Sequence, residues 1–442
     1  MTARTLSWAG IVRLGLVQTA LGAVVVLTTS ALNRVMIVEL ALPATLPGLL
    51  VALHYAVQMM RPRMGHGSDM GGRRTPWIIG GMAVLACGGT LAAVATAWMA
   101  TDVAAGIALA VLAFLLVGVG VGAAGTVLLV LLASRTAPER RPAAASIVWI
   151  MMIAGFVVTT AVASRLLDPY SPARLVAVCA GVSAAAFALA VIAVWGVERS
   201  VAPQAVERRP ARVPFRQALA QVWAEPEARR FTVFVFVSML AYSAQDLILE
   251  PFAGAVFGRS LGESTRLASL QHGGVLLGMI VVAVAGSAFG GHRVAALKMF
   301  TIGGCLSAAA AMLGLAAAGF IGEAWPLATS YVALGLANGV FAAGAIATMM
   351  QLVGRGRESR EGVRMGLWGA AQAIAFGLGG LLGAAALDVA RLALGSTVGG
   401  YAAVFVGDAV LFLVSAWLAL GIARPRPVAA APIPAISGGM ER

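Results

Sequence analysis

Asp246 and Glu250 are the residues in this chain whose chemistry is hardest to explain by packing. They lie four apart in an otherwise apolar run, so on a helix they share one face. A carboxylate inside lipid is costly and tends to mark a site or an ion pathway. Such a pair could carry a proton, or hold a polar substituent or a partner. Pro251 follows at once and disfavours helical geometry at Glu250. Gln271 and His272 begin the next apolar run and could lie close to them. His54 is the other histidine within an apolar run, with Gln58 one turn further on the same face. An imidazole there either packs as a hydrogen-bonded core residue or ligates a metal centre, and the sequence leaves both open. Trp149, Trp368 and Gln372 could line a large flat cavity. Asp408 has no evident partner, and Asn33-Arg34 with Glu39 read as a solvated structural group beyond the first apolar run.

No catalytic constellation accompanies these residues. The chain has no H-E-x-x-H, no Walker loop and no G-x-S-x-G. A membrane prenyltransferase would need two acidic clusters for a magnesium diphosphate, and the 18 acids here are not clustered in that way. Cys87, Cys179 and Cys305 are far apart and suit packing better than a disulfide or a metal. These features argue against an enzyme and against a directly bound metal ion.

The elements that must position these residues are membrane helices. The chain is 60% hydrophobic and 11% charged, with a mean hydropathy of +0.92, whereas a soluble domain carries roughly 25% charged residues. Apolar runs long enough to cross hydrocarbon predict twelve helices near 11–32, 43–60, 76–98, 103–132, 146–164, 173–196, 231–250, 268–289, 296–319, 326–350, 364–386 and 400–421. With the N-terminus inside, 25 of the 31 basic residues fall on inner segments and 6 on outer ones, which places both termini in the cytoplasm. The net charge of +13 is then a topology signal with affinity for anionic membrane lipid, not a nucleic-acid footprint. The first helix is too long for a signal-peptide core and is expected to stay.

The chain divides into a six-helix bundle over 1–198, a cytoplasmic linker over 199–230, a second six-helix bundle over 231–423 and a disordered Pro-rich tail over 424–442. Phe215–Trp223 in the linker is amphipathic and suited to a membrane surface. Three correspondences at an offset of 219 residues support two similar halves. The turn Gly65–Arg74 returns as Gly286–Arg293, Glu139 and Arg141 map onto Glu358 and Arg360, and His54 and His272 precede Gly67 and Gly286 by 13 and 14 residues. At about 1.5 Å per residue both rings sit roughly 20 Å above their turns. A parallel repeat in a membrane chain points to two bundles facing each other across a central site. Helix four carries Gly118, Gly120, Gly122 and Gly125, and helix eleven Gly377, Gly379, Gly380 and Gly383. These suit close helix approach or a seam that rocks.

Gly65, Asp69, Gly72, Arg73 and Arg74 match G-x-x-x-D-x-x-G-R-R, which resembles the signature between helices two and three of the major facilitator superfamily. That resemblance implies an all-α fold of twelve transmembrane helices, with Asp69 facing the start of helix eleven near Arg364. Met70 stands where the signature has Arg, and Ala288 removes the acid from the second copy. Leu32–Pro43, His66–Gly81, Gln245–Phe252 (QDLILEPF) and Arg364–Gly369 (RMGLWG) resemble, more specifically, the PucC/LhaA family of photosynthetic bacteria. The family's branch labelled bacteriochlorophyll synthase chain is the nearest in length and tail.

This resemblance implies a multi-pass protein of the bacterial inner or intracytoplasmic photosynthetic membrane that delivers bacteriochlorophyll to light-harvesting complexes. Antenna subunits, and biosynthesis enzymes on a scaffold reading, would be its partners. His54 or His272 would then ligate the chlorin magnesium directly or through water, with Gln58, Trp368 and Gln372 around the ring. The face of Asp246, Glu250 and Gln271 would bind a polar substituent or a partner. A proton-coupled secondary transporter of a small solute or lipid, or a non-enzymatic scaffold, fits the same residues.

Overall fold

A computed structural model describes residues 5–61, 64, 73–137, 140–198, 215–288, 294–353 and 361–422. The chain is all-helical. α1 (Trp8–Thr29) starts at Ser7, whose hydroxyl accepts from Gly10 N. It does not stop near residue 32: it continues through Ala31–Arg34 and a π turn, Val35–Glu39. α2 (Thr45–Val57) runs into a 3-10 turn at Gln58–Met60. α3 (Thr75–Trp98), α4 (Val103–Arg135), α5 (Arg141–Leu166) and α6 (Pro172–Val194) complete the first half. Asp102 and Ser171 cap α4 and α6, filling donors that a helix start leaves open.

A short linker helix (Phe215–Ala224) precedes α7 (Pro226–Phe257), α8 (Leu261–Ala288), α9 (Val294–Ile321), α10 (Leu327–Val353), α11 (Glu361–Leu394) and α12 (Thr397–Leu420). Among the described residues, eleven helices are long and apolar enough to cross a membrane, and Thr45–Met60 is a shorter apolar helix. The expected second crossing is thus the shortest among the described residues. α7 passes straight through Pro251, against the expected break at Glu250, because Pro251 costs a single backbone bond that another donor replaces (below).

Helix pairing repeats between the halves. α1 packs on α5 and α6, α3 on α4 and α6, and α2 on α4. Likewise α7 packs on α11 and α12, α9 on α10 and α12, and α8 on α10. Across the halves α2 packs on α11 and α5 on α8, each pair the counterpart of the other. Close approach is set by small residues, since lipid supplies no hydrophobic drive between helices. Gly274 and Gly278 of α8 face Gly335 and Gly339 of α10. A Cβ at 335 would stand 1.9 Å from Gln271 O, and one at 339 would stand 2.1 Å from Val275 O. Gly118 meets His54 O, Gly120 meets Leu85, and Gly379 meets Leu240 O. Cys179 and Cys305 are buried as expected of packing residues, but Cys87 is exposed.

At the end that carries the termini, Glu198 caps α3, accepting from Arg74 N (2.9 Å), Thr75 N (3.0 Å) and Thr75 Oγ1 (2.8 Å). Burial works against its charged form, yet the N–H groups of Thr75 and Arg74, the Thr75 hydroxyl and Arg135 together hold its carboxyl below the ordinary value.

Two outcomes are expected. Gly335→Ala and Gly339→Ala should each cost about 1–3 kcal/mol by overpacking, whereas Gly273→Ala and Gly303→Ala, where a Cβ meets nothing within 4 Å, should be near neutral. Thermal denaturation in detergent measures both. Because the carboxyl of Glu198 titrates below its unfolded value, the cap stabilises fully above the ordinary glutamate pKa of about 4.3 and is lost as pH falls through the folded value. The midpoint difference between wild type and Glu198→Gln should therefore be present at neutral pH and vanish in acid. A difference that persists unchanged in acid would contradict this assignment.

Candidate functional site

The polar residues gather where the halves meet. In α7, Pro251 has no N–H, so the carbonyl four residues earlier, Leu247 O, loses its helical donor. Asn33 Nδ2 supplies one from the other half. The next residue, Arg34, is 2% exposed. Its Nη1 donates to Glu39 Oε1 at 2.5 Å and its Nη2 to Arg259 O at 2.6 Å. Gly254 leaves the space the guanidinium occupies, since a Cβ there would lie 3.0 Å from Arg34 Nη2. Glu250, also 2% exposed, accepts from Ser30 Oγ, and the buried Thr265 hydroxyl lies beside it without hydrogen-bond geometry. Tyr331 donates to Leu249 O at 2.5 Å. Asn33 and Arg34 are thus no solvated surface group but part of a buried seam between α1 and α7, while their partner Glu39 stays exposed.

Asp246, one turn before Glu250, is half-buried and accepts no hydrogen bond among the described residues. Tyr55 of α2 and Tyr242 of α7 lie within electrostatic range of it. Phe376 of α11 packs between them, with ring centroids 5.6 Å from Tyr55 and 5.9 Å from Tyr242. His54 stacks edge-on against Tyr55 at 4.8 Å. The Gln58 amide is oriented by Arg61, which donates to Gln58 Oε1, so Gln58 Nε2 faces His54 Nε2 at 2.8 Å as donor. That hydrogen bond uses the His54 Nε2 lone pair and leaves the proton on the buried Nδ1, which has no partner. His54 is therefore a packed, hydrogen-bonded residue here.

His272 is arranged differently. It lies three turns into α8, not at its start, and its Nδ1 donates to Ala268 O at 2.8 Å. This fixes the tautomer that leaves the Nε2 lone pair available. Its ring meets Phe156 of α5 at 5.2 Å, on the seam between halves. Gln271 is buried with Nε2 unpartnered, and neither residue is hydrogen-bonded to Asp246 or Glu250.

The expected flat cavity is not formed by the residues named for it. Trp368 is 1% exposed, packed 4.8 Å from Phe231 in the core of the second half. Trp149 is exposed, and the half-buried Gln372 points its amide at Met239 Sδ. Two small gaps, lined by Phe231, Lys298 and Thr348 in the second half and by Val24, Cys179 and Ser183 in the first, leave room for no more than about one water molecule. Asp408 is buried with one oxygen unpartnered.

Gly65, Asp69 and Gly72 lie outside the described residues, as do the second turn over 289–293, Glu139, Glu358 and Arg360, the linker over 199–214 and the tail. Arg73 is exposed, and Arg74 gives its backbone N–H to Glu198. Among the described residues no group of three His, Cys, Asp or Glu side chains could hold a metal ion. The signal that could have revealed the Asn33–Arg34 seam is Pro251: a proline inside a membrane helix calls for an outside donor to the orphaned carbonyl.

Asn33→Ala should cost about 1–3 kcal/mol by leaving Leu247 O buried without a donor. Pro251→Ala restores that donor, so the double variant should be less destabilised than the two single losses summed. Additive losses in thermal denaturation would contradict the pairing.

The family described as PUCC protein matches residues 31–426. The chain is 50% identical over 435 residues to the bacteriochlorophyll synthase 44.5 kDa chain of Rhodobacter capsulatus, covering 98% of this chain and all of that one. It is 30% identical over 429 residues to protein PucC of the same organism, covering 92% and 90%. Among solved structures, a bacterial homologue of the human lysosomal transporter Spinster, inward-facing and unoccupied, superposes with a TM-score of 0.69 at 16% identity, covering 93% of this chain and 95% of that one. The nucleoside transporter NupG superposes with a TM-score of 0.63 at 16% identity, covering 93% and 98%. The fold is shared with these transporters, and by the extent of the family match this multi-pass membrane protein belongs to the PUCC protein family.

Proposed function

We propose that this chain is a membrane assembly factor that binds bacteriochlorophyll and delivers it to light-harvesting or photosynthetic complexes, as a carrier or chaperone and not a catalyst. The observation that carries this reading is the 50% identity, along nearly its whole length, to a relative named for bacteriochlorophyll synthesis, in a chain whose fold is that of transporters. The protein spans the bacterial inner or intracytoplasmic membrane twelve times, with α2 as the shortest crossing and both termini in the cytoplasm. Its bundles are 1–198 and 231–423, joined by the linker 199–230. Antenna subunits receive the pigment.

His272 is the better placed of the two histidines to ligate the chlorin magnesium. Its Nδ1–H is anchored on Ala268 O, the kind of outer contact that orients a ligating imidazole. His54 would first have to give up its Gln58 hydrogen bond. With Trp368 buried in the second half and the interior closely packed, the chlorin lies along the lipid-facing seam of α5 and α8 beside His272. Asp246 with the Tyr55 and Tyr242 hydroxyls lies by the other contact between halves, α2 with α11, and recognises a polar group of a partner.

A second reading has support in Asp246, half-buried and without a hydrogen bond: a proton-coupled transporter, for which Asp246→Asn should abolish solute uptake into proteoliposomes. The test of the carrier reading is the absorption spectrum of the protein purified in mild detergent from a pigmented host. Wild type should carry a bacteriochlorophyll band. His272→Leu should retain about tenfold less pigment, a difference of about 1.4 kcal/mol, while His54→Leu should retain most of it. A wild-type spectrum without the band would overturn the reading.

A further inference from the structure

Two carboxylates outside the central site cross between the halves in the same way. Asp388, near the end of α11, caps the start of α2: Ala44 N donates to Oδ1 at 3.0 Å, and Thr45 N and Thr45 Oγ1 donate to Oδ2 at 2.7 and 2.5 Å. Asp168, just past α5, caps the start of α8: Gly262 N donates to Oδ1 at 3.0 Å and Ser260 Oγ to Oδ2 at 2.6 Å. They are 220 residues apart, one more than the sequence repeat of 219. Each closes one of the two symmetry-related contacts between halves, α2 with α11 and α5 with α8. A helix start offers free N–H donors and the positive end of its dipole, so an acid supplied by another helix binds there as both hydrogen-bond acceptor and charge. Backbone approach is tight at both: a Cβ at Gly262 would lie 2.3 Å from Asp168 Oδ2, and one at Gly48 would lie 2.8 Å from Ala384 Cβ.

Both caps lie at the end remote from the termini, and among the described residues the contacts between halves become apolar away from them. Along α5 and α8 the contacts pass from Asp168 to Ser269 Oγ on Val157 O (3.0 Å) and then to His272 on Phe156. Beyond that level, on the same face of α8, Leu276 and Met279 are half-buried and Ala283 is exposed. Along α2 and α11 they pass from Asp388 to Gly48 on Ala384 and then to Tyr55 on Phe376. Beyond these, Met59 and Met60 of α2 and Ile374 of α11 are exposed. Among the described residues, the seam is hydrogen-bonded at the remote end and apolar toward the termini.

We propose that Asp168 and Asp388 are paired latches that hold the remote end of the two halves closed, so that a molecule entering between them does so from the end that carries the termini. The latches do not depend on what the cargo is. The test uses the full-length protein in sealed vesicles with a reporter at Ser264→Cys, a fully buried position one turn past the Asp168 cap. Alkylation by a membrane-impermeant maleimide from the remote side, corrected for the native cysteines, reads opening. Alkylation should be slow with both acids present. In Asp168→Ala/Asp388→Ala the rate should rise at least about tenfold, as expected for the loss of a few partly buried charge-assisted bonds, with the single variants between. Asp168→Asn/Asp388→Asn keeps an acceptor oxygen at each cap. It should give a smaller rise, and it stands in should the alanine pair fail to elute as a monodisperse species. An unchanged rate in a well-folded double variant, or an equal rise for a reporter at Thr348→Cys near the opposite end, would overturn the proposal.

Discussion

The constraint from which the rest of this structure follows is that hydrocarbon offers no water to a broken backbone hydrogen bond. α7 breaks one at Pro251, in the middle of the surface where the halves meet. The chain answers with Asn33, held in place because α1 runs on through a π turn and does not end. That extension also carries Arg34 into the interior, and a buried guanidinium must be matched on several sides. Glu39, the Arg259 carbonyl and the space left by Gly254 do so, while Ser30 holds Glu250. One missing N–H in the second half thus recruits a run of polar residues from the first and ties the two together.

Around that seam the duplicated pairing of helices has a mechanical consequence. Contacts within each half are backbone-close, made by glycines opposite carbonyls. Contacts between halves are fewer and end on the remote side in carboxylates that cap helix starts. Several buried polar atoms keep no hydrogen-bond partner among the described residues, Glu250 Oε2, Gln245 and Gln271 Nε2 among them. Asp246, with two tyrosines and a phenylalanine around it, and His272, with one nitrogen anchored and the other available, also lie where the halves meet.

Much of this was legible in the sequence, because membrane helices announce themselves by length and apolarity. The starts of α3, α4 and α6 fall within a residue of the apolar runs. The periodic offset foretold two like halves. The functional residues were only partly legible. Asn33, Arg34 and Glu39 look like a surface group, since three polar residues normally end an apolar helix; the extension of α1 that buries Asn33 and Arg34 is invisible to composition. Asp168 and Asp388 sit at helix ends, where acids are ordinary, and only the position of the other half gives them their caps. His54 and His272 look equivalent by spacing. What separates them is the amide of Gln58, turned by Arg61 so that it consumes one imidazole lone pair. Trp368 was misplaced for a similar reason: an aromatic in an apolar helix packs in a core or lines a cavity with the same periodicity.

A carrier of the proposed kind would act after pigment is made and before antenna is assembled. Deleting its gene and measuring total bacteriochlorophyll separately from assembled light-harvesting complex tests that order most directly. Delivery predicts that pigment synthesis continues while antenna assembly fails. Blocked synthesis would contradict it and place the protein among the biosynthetic enzymes as their scaffold.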